Sequence, residues 1–479
     1  MNYKLIFNTV FKVIKVEAVL MLIPLVTSAI YNEQASFIAF AITIVASFLI
    51  ALLLSWLLKP KYNQFYAKEG FITVALTWIF VSLIGCVPFV ISGEIPNFID
   101  AFFETVSGFT TTGASILENV ESLSKGMLMW RSFSHFIGGM GVLVFIMAIT
   151  SKTTDRPIHI LRAEMPGPIK SKLVPSSKDT AKILYLIYIA ITAVLIVLLV
   201  LGGMPLYESI IHAFGTAGTG GFGITNDSVA SYSDYIQWVI AIFMFIFGIN
   251  FNLFYLVIIK KFSAIFKSSE LKAYILIIVT AVIIICLDTY KLYNDFATTI
   301  KNSFFQTTSI ITTTGFSSVD FNNWPNLSKT ILFILMFIGG CAGSTAGGLK
   351  VSRVVLTFKR IGSSIKRLLH PNAVSVIKYD NESVDKKVSF GLADYLLMYA
   401  SCFFVLTLLL SFNGLDFETT ITSVASCFNN VGPGFNQAYQ NYNCYNDFSK
   451  IILSLTMLLG RLEVYPLLIA LIPSTWAKK

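Results

Sequence analysis

The sequence has few charged residues and no arrangement of cysteine or histidine that indicates a metal site or a disulfide framework. Only 13% of its 479 residues are charged, against about 25% in soluble domains. The six cysteines form no Cys-x-x-Cys pair, and the four histidines lack metal-ligand spacing. No Ser/His/Asp set and no pair of carboxylates placed for acid–base chemistry emerges. The sequence therefore supports neither an enzyme nor a bound cofactor.

Apolar residues are abundant instead and make up 55% of the chain. Several apolar runs reach the roughly 20 residues that cross a bilayer as a helix. The basic first 15 residues are followed by no small-residue cleavage site, so no cleaved signal peptide is expected. The apolar runs predict ten membrane spans, near residues 10–31, 36–58, 71–92, 127–150, 182–202, 235–260, 272–290, 328–358, 389–412 and 449–472.

The positive charges lie in alternate loops, which argues against nucleic acid as the partner despite a net charge of +9. Basic residues cluster at 59–70, 151–182, 260–272 and 350–387, whereas the intervening loops are poor in Lys and Arg and contain acids. The positive-inside rule places the basic loops in the cytoplasm. Both termini are basic and are expected on the same side, which requires an even number of spans.

A short motif of threonine and glycine recurs four times, at intervals of roughly 100 residues, and this periodicity indicates duplicated units. Its copies are Thr110–Gly113, Ala217–Phe222, Thr312–Phe316 and the more divergent Asn429–Phe435. Each copy follows a mildly apolar segment that predicts a half-helix, near 99–109, 206–216, 296–310 and 417–428. The repeats divide the chain into an N-terminal hairpin, 1–66, and four units, 67–155, 156–265, 266–375 and 376–479.

The four motifs predict an ion filter. A dehydrated monovalent cation needs a ring of oxygens in place of water, and backbone carbonyls from four loops can supply it. Glycine tolerates the positive φ that turns successive carbonyls toward one axis. The carbonyl ends of four half-helices favour a cation at the same point. The predicted filter residues are Thr111, Thr112, Gly113, Gly218, Thr219, Gly220, Thr313, Thr314, Gly315, Asn430, Val431 and Gly432.

The alternative interpretation of these motifs is a set of turns that cap helices, since Gly and Thr are ordinary turn residues. Four copies in equivalent positions favour the filter. This alignment treats Gly113, Gly220, Gly315 and Gly432 as equivalent. In it, Gly218 and Asn430 each replace a threonine and Val431 replaces another, so the ring of hydroxyl groups is looser in the second and fourth copies.

Residues 339–348 interrupt the third return span with five glycines in ten residues. Each glycine costs a helix about 1 kcal/mol relative to alanine, so an unwound segment is predicted here. Beneath the filter such a segment would serve as a movable gate. The alternative is close helix packing, because Gly339, Gly343 and Gly347 have the small-xxx-small spacing of membrane helices.

Arg461 lies deep within the last predicted span, roughly 18 Å of helix from its outer end. A charge at that depth costs about 2.5–3.5 kcal/mol or more, so it is expected to face a partner or water. One interpretation is a positive barrier in the pore. The other is an ion pair with Glu463 or Asp394, although Glu463 is only two residues away and does not share a helix face with Arg461.

Together these motifs resemble the Trk/Ktr/HKT potassium transporters over essentially the whole chain. The resemblance is carried by Thr-Thr-Thr-Gly, by Phe-Ile-Gly-Gly-Met-Gly at 136–141, by the 338–350 segment ending Ala-Gly-Gly-Leu-Lys, by Asn-Val-Gly-Pro-Gly at 430–434 and by Leu-Gly-Arg-Leu-Glu-Val-Tyr-Pro at 459–466. The extra N-terminal hairpin makes the chain more similar to the bacterial TrkH/TrkG branch than to KtrB.

The resemblance implies an all-α membrane protein with four helix–pore-loop–helix units around one pore, preceded by a transmembrane hairpin. It implies potassium uptake across the bacterial inner membrane by a homodimer with one pore per subunit. A cytosolic ring of the TrkA type is implied as the partner, and the nucleotide that controls opening is expected on that partner. The implied gate residues are Gly339, Gly340, Gly343, Ser344, Thr345, Gly347, Gly348 and the opposing Arg461.

Two other functions remain open. A sodium-permeable member of the same superfamily is one, although in that family a serine in place of the first filter glycine marks sodium preference and this chain has Gly113. The other is an alternating-access carrier with inverted repeats. Each repeat here starts and ends on the basic side, so all four share one orientation, which favours a ring around a pore.

Overall fold

The computed structural model describes residues 1–60, 66–141, 177–372, 376–380 and 382–476, and these are almost entirely helical. In that part of the chain, paired strands occur in one antiparallel hairpin, Lys378–Tyr379 with Glu382–Ser383. A helical hairpin at the N-terminus precedes four units of outer helix, pore helix, filter loop and return helix. The predicted all-α membrane class with four repeats around one pore is confirmed.

Six helices are long and apolar enough to cross a membrane, counting only the described residues. They are the two helices of the N-terminal hairpin and the first, outer helix of each repeat, at Tyr3–Ile30, Gln34–Leu57, Ala67–Ser92, Asp179–Leu201, Ser269–Tyr293 and Val388–Asn413. Two of these spans are jointed, as Tyr3–Leu20 with Leu22–Ile30 and as Ala67–Gly85 with Val87–Ser92. The corresponding predicted spans are confirmed.

A short pore helix follows each outer helix and ends inside the protein. The four pore helices are Phe98–Phe109, Leu206–Ala217, Phe296–Ile311 and Phe417–Asn429, which confirms the predicted half-helices. Three of them begin at a residue whose side chain accepts a hydrogen bond from the first turn, namely Asn97, Asp295 and Asp416. Such caps satisfy backbone N–H groups that have no partner within the helix.

A return helix leads away from each filter loop. The prediction of a continuous span is wrong in the second and fourth repeats, whereas the third return span is interrupted at 339–348 as predicted. The return helices are Lys125–Gly139, Asp234–Phe247, Asn326–Ile338 and Asp447–Arg461. The second bends by 91° into a following helix. The helices that resume after the breaks are Phe251–Ile258, Val351–Leu369 and Tyr465–Leu471. Residues 142–150 of the first predicted return span lie outside the described residues.

Each break lies at or beside a glycine, namely Gly248, Gly339 and Gly460. After Gly248, the side chain of Asn250 caps a new helix by accepting a hydrogen bond of 2.9 Å from the Asn252 N–H. Gly339 has a φ of 73°, a conformation that ends a helix and that glycine adopts without steric cost. We call the segment that follows, residues 339–350, the glycine loop.

The N-terminal hairpin contacts the first repeat through its turn. The carboxylate of Glu33 accepts hydrogen bonds from the backbone N–H groups of Lys125 (2.6 Å) and Gly126 (3.0 Å), where the first return helix begins. A carboxylate at a helix N-terminus is stabilised by the helix dipole. Short helices at Phe262–Lys267 and Pro473–Trp476 complete the described chain, and the predicted basic loop 151–182 lies largely outside it.

Candidate ion pathway

The four filter loops have the same backbone conformation, with two residues of positive φ separated by one other. The first of each pair has a φ between 53° and 56°, at Thr111, Thr219, Thr313 and Asn430. The second is always a glycine, with a φ of 79° at Gly113, 74° at Gly221, 84° at Gly315 and 108° at Gly432. The predicted glycine therefore has positive φ in loops 1, 3 and 4, and in loop 2 the adjacent Gly221 has it instead of the predicted Gly220.

The register of the second loop differs by one residue from the sequence alignment of the four motif copies. In the structure Gly221, and not Gly220, is equivalent to Gly113. The residue before the glycine donates its backbone N–H to a carbonyl five residues earlier in every loop, at Thr112 (2.9 Å), Gly220 (2.8 Å), Thr314 (2.8 Å) and Val431 (2.9 Å). Gly220 thus stands at a threonine position. Two adjacent glycines at 220–221 make the motif ambiguous, and only the hydrogen bonds resolve it.

The four loops close into a ring. The positive-φ glycine of each loop lies against a backbone carbonyl of the next loop, so closely that an added Cβ atom would overlap or crowd the carbonyl oxygen. That carbonyl belongs to the residue just before the glycine of the next loop. The pairs are Gly113 with Gly220, Gly221 with Thr314, Gly315 with Val431, and Gly432 with Thr112. The contacts run in one direction through loops 1, 2, 3 and 4 and return to loop 1. Four equivalent backbone carbonyls therefore surround a common centre.

A cavity of about 220 Å³ opens outside the ring, and all four positive-φ glycines line it. Acidic side chains of Asp227 and Asp320 contribute to its wall, which favours entry of a cation. Tyr439 also lines it and shares a 2.7 Å hydrogen bond with Ser317. Burial raises the pKa of Tyr439 to about 12, so its hydroxyl is neutral at physiological pH.

The residue two positions before each positive-φ glycine contributes a side-chain oxygen next to the ring; these residues are Thr111, Thr219, Thr313 and Asn430. The Thr111 hydroxyl and the Asn430 amide oxygen are buried and have no hydrogen-bond partner among the described residues. The Thr219 hydroxyl donates to the Gly218 carbonyl at 2.6 Å, and the Thr313 hydroxyl accepts from the glycine loop. This position therefore has buried oxygens that a cation could use, and they are not equivalent in the four loops.

The glycine loop lies directly against the filter. The backbone N–H of Gly347 donates a 2.6 Å hydrogen bond to the Thr313 hydroxyl of the third filter loop. A Cβ atom added to Gly347 would overlap the carbonyl oxygen of Asn429, at the end of the fourth pore helix. Thr345 and Ala346, at the same level, have no exposed surface. The loop therefore packs against the third filter loop and the end of the fourth pore helix.

The glycine loop also interlocks with the break in the second return helix. The N–H of Cys341 donates to the Gly248 carbonyl at 2.9 Å, and the N–H of Phe251 donates to the Gly343 carbonyl at 3.0 Å. Two interrupted helices thus satisfy each other's free backbone groups, as non-helical backbone at membrane depth requires. Residues 339–350 are not helical, so the alternative interpretation as a helix-packing motif is wrong.

Arg461 reaches across the pathway from the fourth repeat. Its guanidinium donates to the Thr345 carbonyl at 3.1 Å, to the Gly139 carbonyl at 2.9 Å and to the Gly138 carbonyl. It therefore connects the glycine loop with the end of the first return helix. Glu463, considered as its ion-pair partner, forms an ion pair with Arg353 of the helix that follows the glycine loop.

A smaller cavity of about 60 Å³ lies on the other side of the glycine loop. Gly343, Ser344, Gly347 and Gly348 of the predicted gate line it together with Arg461. Two further gate residues pack at the start of the loop, where a Cβ atom added to Gly339 would overlap the carbonyl of Gly347, and one added to Gly340 would lie 2.6 Å from the Cβ atom of Ala346. The structure thus brings the predicted gate residues and Arg461 together at one level.

Sequence reasoning missed a buried ion pair behind the first two filter loops. Arg131 and Glu104 are 2.8 Å apart, and their side chains are 2% and 0% exposed. Glu104 also accepts hydrogen bonds from the Ser115 hydroxyl (3.0 Å) and from the Ile116 N–H (3.0 Å), just after filter loop 1. The Arg131 guanidinium lies 4.0 Å from the centre of the Phe222 ring, next to filter loop 2. The sequence contained a signal for this pair, because Glu104 and Arg131 are charged residues within apolar helices, where an unpaired charge is costly.

A second missed residue, Glu270, holds the glycine loop from the start of the third outer helix. Its carboxylate accepts hydrogen bonds from the Ala342 N–H (2.6 Å), inside the loop, and from the Ser352 N–H (3.1 Å), at the start of the next helix. The neighbouring Ser269 N–H donates to Asp380 of the strand hairpin at 2.8 Å. The loop is thus linked to the basic segment 350–387.

The fold and this site define a membrane protein in which four repeats bring their filter loops together in a ring, with a non-helical loop packed against that ring. This arrangement is typical of proteins that transport cations. Residues 36–478 match the TrkH family, described as a cation transport protein. The chain belongs to this family, which confirms the predicted resemblance.

Similar proteins cover nearly the whole chain. The Trk system potassium uptake protein TrkH of Escherichia coli K12 is 37% identical over 464 residues, which are 95% of each chain. TrkG of the same organism is 35% identical and covers 94% of this chain and 93% of its own. The crystal structure of the potassium transporter TrkH from Vibrio parahaemolyticus superposes with a TM-score of 0.90, at 31% identity and with full coverage of both chains.

Proposed function

We propose that this chain takes up potassium across the bacterial inner membrane, through a channel-like pore whose filter is the ring of four loops. The observation that carries the proposal is the closed cycle of contacts between each filter glycine and the carbonyl of the next loop. Carbonyl rings of this kind replace the water of a monovalent cation. The names of the similar proteins support potassium as that cation.

In this proposal the filter consists of the predicted residues of the four motifs, with Gly221 added at the position equivalent to Gly113. The carbonyls of Thr112, Gly220, Thr314 and Val431 are the primary ligands of the passing ion. The pore helices end immediately before the filter, so their carbonyl ends, which carry partial negative charge, favour a cation there.

The glycine loop and Arg461 form the gate in this proposal. The loop blocks the pathway sterically, and the guanidinium places a positive charge beside it. Removing an arginine charge 4 Å from a passing potassium ion changes the energy by about 1 kcal/mol in water, and by more in a drier pore. Opening then requires the loop to leave Thr313 and Arg461 together.

The proposal extends to assembly and location, and it keeps the division of the chain into a hairpin and four repeats. We propose a homodimer with one pore per subunit, both termini in the cytoplasm, and a cytosolic TrkA-type ring docked on the basic loops. The nucleotide that controls opening binds to that ring, and this chain carries potassium only as its transported ion. The basic charge of 350–387 and its link to the glycine loop through Glu270 support such a docking site.

Growth rescue tests the proposal. The chain is expressed in a bacterium that lacks its own potassium uptake, and growth is followed at low and at high external potassium. Rescue at low potassium is expected for the natural sequence and for Gly93→Ser, a glycine with a φ of 78° and no neighbour within 4 Å of an added Cβ atom. No rescue, with the protein present in the membrane, would overturn the proposal.

A sodium-permeable pore is a second candidate, and one observation favours it. At the level of Thr112 and Thr314, the other two loops have Gly220 and Val431, so only half of the ring has threonine at this position. Relative potassium and sodium flux in proteoliposomes separates the two candidates. Equal flux of both ions favours the sodium-permeable pore, and a strong excess of potassium flux excludes it.

A further inference from the structure

We propose that His135 is a positioning residue of the filter and that its imidazole sets the carbonyl geometry of filter loop 2, and through it the choice between cations. The inference rests on the proposed function of the ring. His135 lies in the first return helix, has no exposed surface and belongs to none of the motifs that predicted the filter. Three contacts carry the argument.

The first contact is with the end of pore helix 1. The Nδ1 atom of His135 lies 2.7 Å from the carbonyl oxygen of Gly108. A carbonyl only accepts, so Nδ1 carries the proton and donates it. The same carbonyl accepts the N–H of Thr111 at 3.2 Å, where the chain turns into filter loop 1. The imidazole therefore holds the carbonyl on which this turn depends.

The second contact is with filter loop 2. A Cβ atom added to Gly220 would overlap Cγ and Nδ1 of the imidazole, and one added to Gly218 would overlap the backbone carbonyl of His135. In loops 1 and 3 the equivalent positions are threonines whose hydroxyls share a 2.7 Å hydrogen bond, as between Thr110 and Thr112. The imidazole thus occupies the space of the missing threonine side chain, which explains why this loop departs from Thr-Thr-Thr-Gly.

The third contact is with the residue that follows the filter. The centres of the His135 and Phe222 rings are 4.3 Å apart, and Arg131, one helical turn earlier, lies over the same phenylalanine. His135 and Arg131 together fix the chain on the outer side of Gly221. Filter loop 2 is therefore supported from one helix at both ends.

These contacts bear on selectivity because the carbonyl of Gly220 is one of the four in the ring. A glycine without a side chain has the least restrained backbone of any residue. In loops 1 and 3 the paired threonine hydroxyls restrain this part of the chain, and in loop 2 the imidazole takes over that role. Without the imidazole, the Gly220 carbonyl can move, and the ring distinguishes potassium from sodium less strongly.

Substitutions of His135 separate its two contributions. His135→Asn keeps an N–H donor at the position of Nδ1 but loses the ring, whereas His135→Phe keeps a ring but loses the donor. His135→Ala loses both. The measurement is the ratio of potassium to sodium flux in proteoliposomes, per folded protein. We expect the ratio to fall by roughly fivefold in His135→Phe, the factor for one ordinary hydrogen bond. It is expected to fall in His135→Asn as well, because the ring contact with Gly220 is lost, and to fall furthest in His135→Ala.

A double substitution tests the contact with Gly220 directly. Gly220→Thr alone introduces a side chain where the imidazole lies, so the ratio is expected to fall. Gly220→Thr combined with His135→Ala provides the threonine and removes the clash, and the ratio is expected to recover above that of either single variant. A ratio in the double variant no higher than in the singles contradicts the proposal.

The control is Trp130→Phe, on the same helix, which keeps an aromatic ring and removes a buried 2.9 Å hydrogen bond to the Gly85 carbonyl of the first outer helix. Its flux ratio is expected to stay at the natural value. A merely structural His135 would lower both fluxes equally and leave the ratio unchanged in every variant, which would overturn the inference. Absence of potassium flux in the natural protein would instead contradict the proposed function.

Discussion

Arg461, in the last return helix, donates a hydrogen bond of 3.1 Å to the carbonyl oxygen of Thr345, in the middle of the glycine loop. The same guanidinium donates to the carbonyls of Gly138 and Gly139. One side chain therefore joins the third and first repeats beneath the filter. Any movement of the loop away from Arg461 breaks the bond to Thr345.

This contact predicts that Arg461→Ala raises the basal flux, measured in proteoliposomes without any partner protein. The variant removes both a bond that holds the loop closed and a positive charge, so an increase of roughly fivefold or more is expected. Deleting part of 343–347 should raise the flux further and leave the ion preference of the filter unchanged. Arg367→Ala, an exposed arginine of the helix that follows the glycine loop, is the control and should leave basal flux unchanged. Flux that falls or stays level, in protein that is intact by size exclusion, would mean that the loop packs and does not gate.

The filter predicts a loss of potassium preference in Gly113→Ser and in Gly315→Ser. At both positions φ is positive and an added Cβ atom would overlap a carbonyl of the ring, so the ring must distort. The measurement is the ratio of potassium to sodium flux. Gly93→Ser has the same backbone strain with no neighbour and should keep the natural ratio. Unchanged ratios in both filter variants would remove these glycines from the selective part of the pore.

The ion pair of Arg131 and Glu104 predicts a large loss of stability in Glu104→Gln. The variant leaves the buried guanidinium without its counter-charge, which costs about 3–5 kcal/mol. Thermal unfolding in detergent measures it. Glu418→Gln is the control, because its pair with Lys329 is 3.5 Å long and 43% exposed on the glutamate side, and such pairs contribute about 1 kcal/mol or less. Similar melting temperatures for the two variants would contradict a structural role of the buried pair.

The proposed docking site on the basic segment 350–387 predicts salt-dependent binding of a TrkA-type ring. Charge reversal at Lys359, Arg360 and Lys366 should weaken capture of that ring, and high salt should weaken capture by the natural chain, since screening reduces attraction between exposed charges. Charge reversal at Lys291 is the control and should leave capture unchanged. Lys291 is exposed and lies at the end of the third outer helix that is far from Glu270 and the basic segment. The simpler explanation is that these charges only orient the protein in the membrane. No capture at low salt, with both proteins folded, would support it.

Helix positions followed from local sequence in the outer and pore helices but not in the return helices. An apolar run of about 20 residues determines a span because burial in lipid depends on composition alone. The break at Gly248 depends instead on a partner, since its carbonyl is satisfied by Cys341 from another repeat. The sequence around Gly248 contains no information about that contact.

Some residues of the candidate site could likewise be predicted from the sequence and others could not. Arg461 stood out because a charge within an apolar run is costly, and it lies beside the glycine segment that composition also marked. His135 did not stand out, because a single histidine in a helix has no pattern around it. Its meaning depends on Gly220, which lies in a different repeat and was aligned one residue out of register.

By itself the sequence determined the membrane class, the four-fold repeat, the half-helices and the family, because composition, periodicity and motif spacing act along the chain. Only the tertiary structure decided the order and closure of the filter ring, the register of loop 2 and the interlocking of the broken helices. Those features depend on hydrogen bonds and close contacts between residues about a hundred positions apart. A chain constrains such contacts only once it has folded, since each carbonyl is satisfied by whichever donor the packing brings to it.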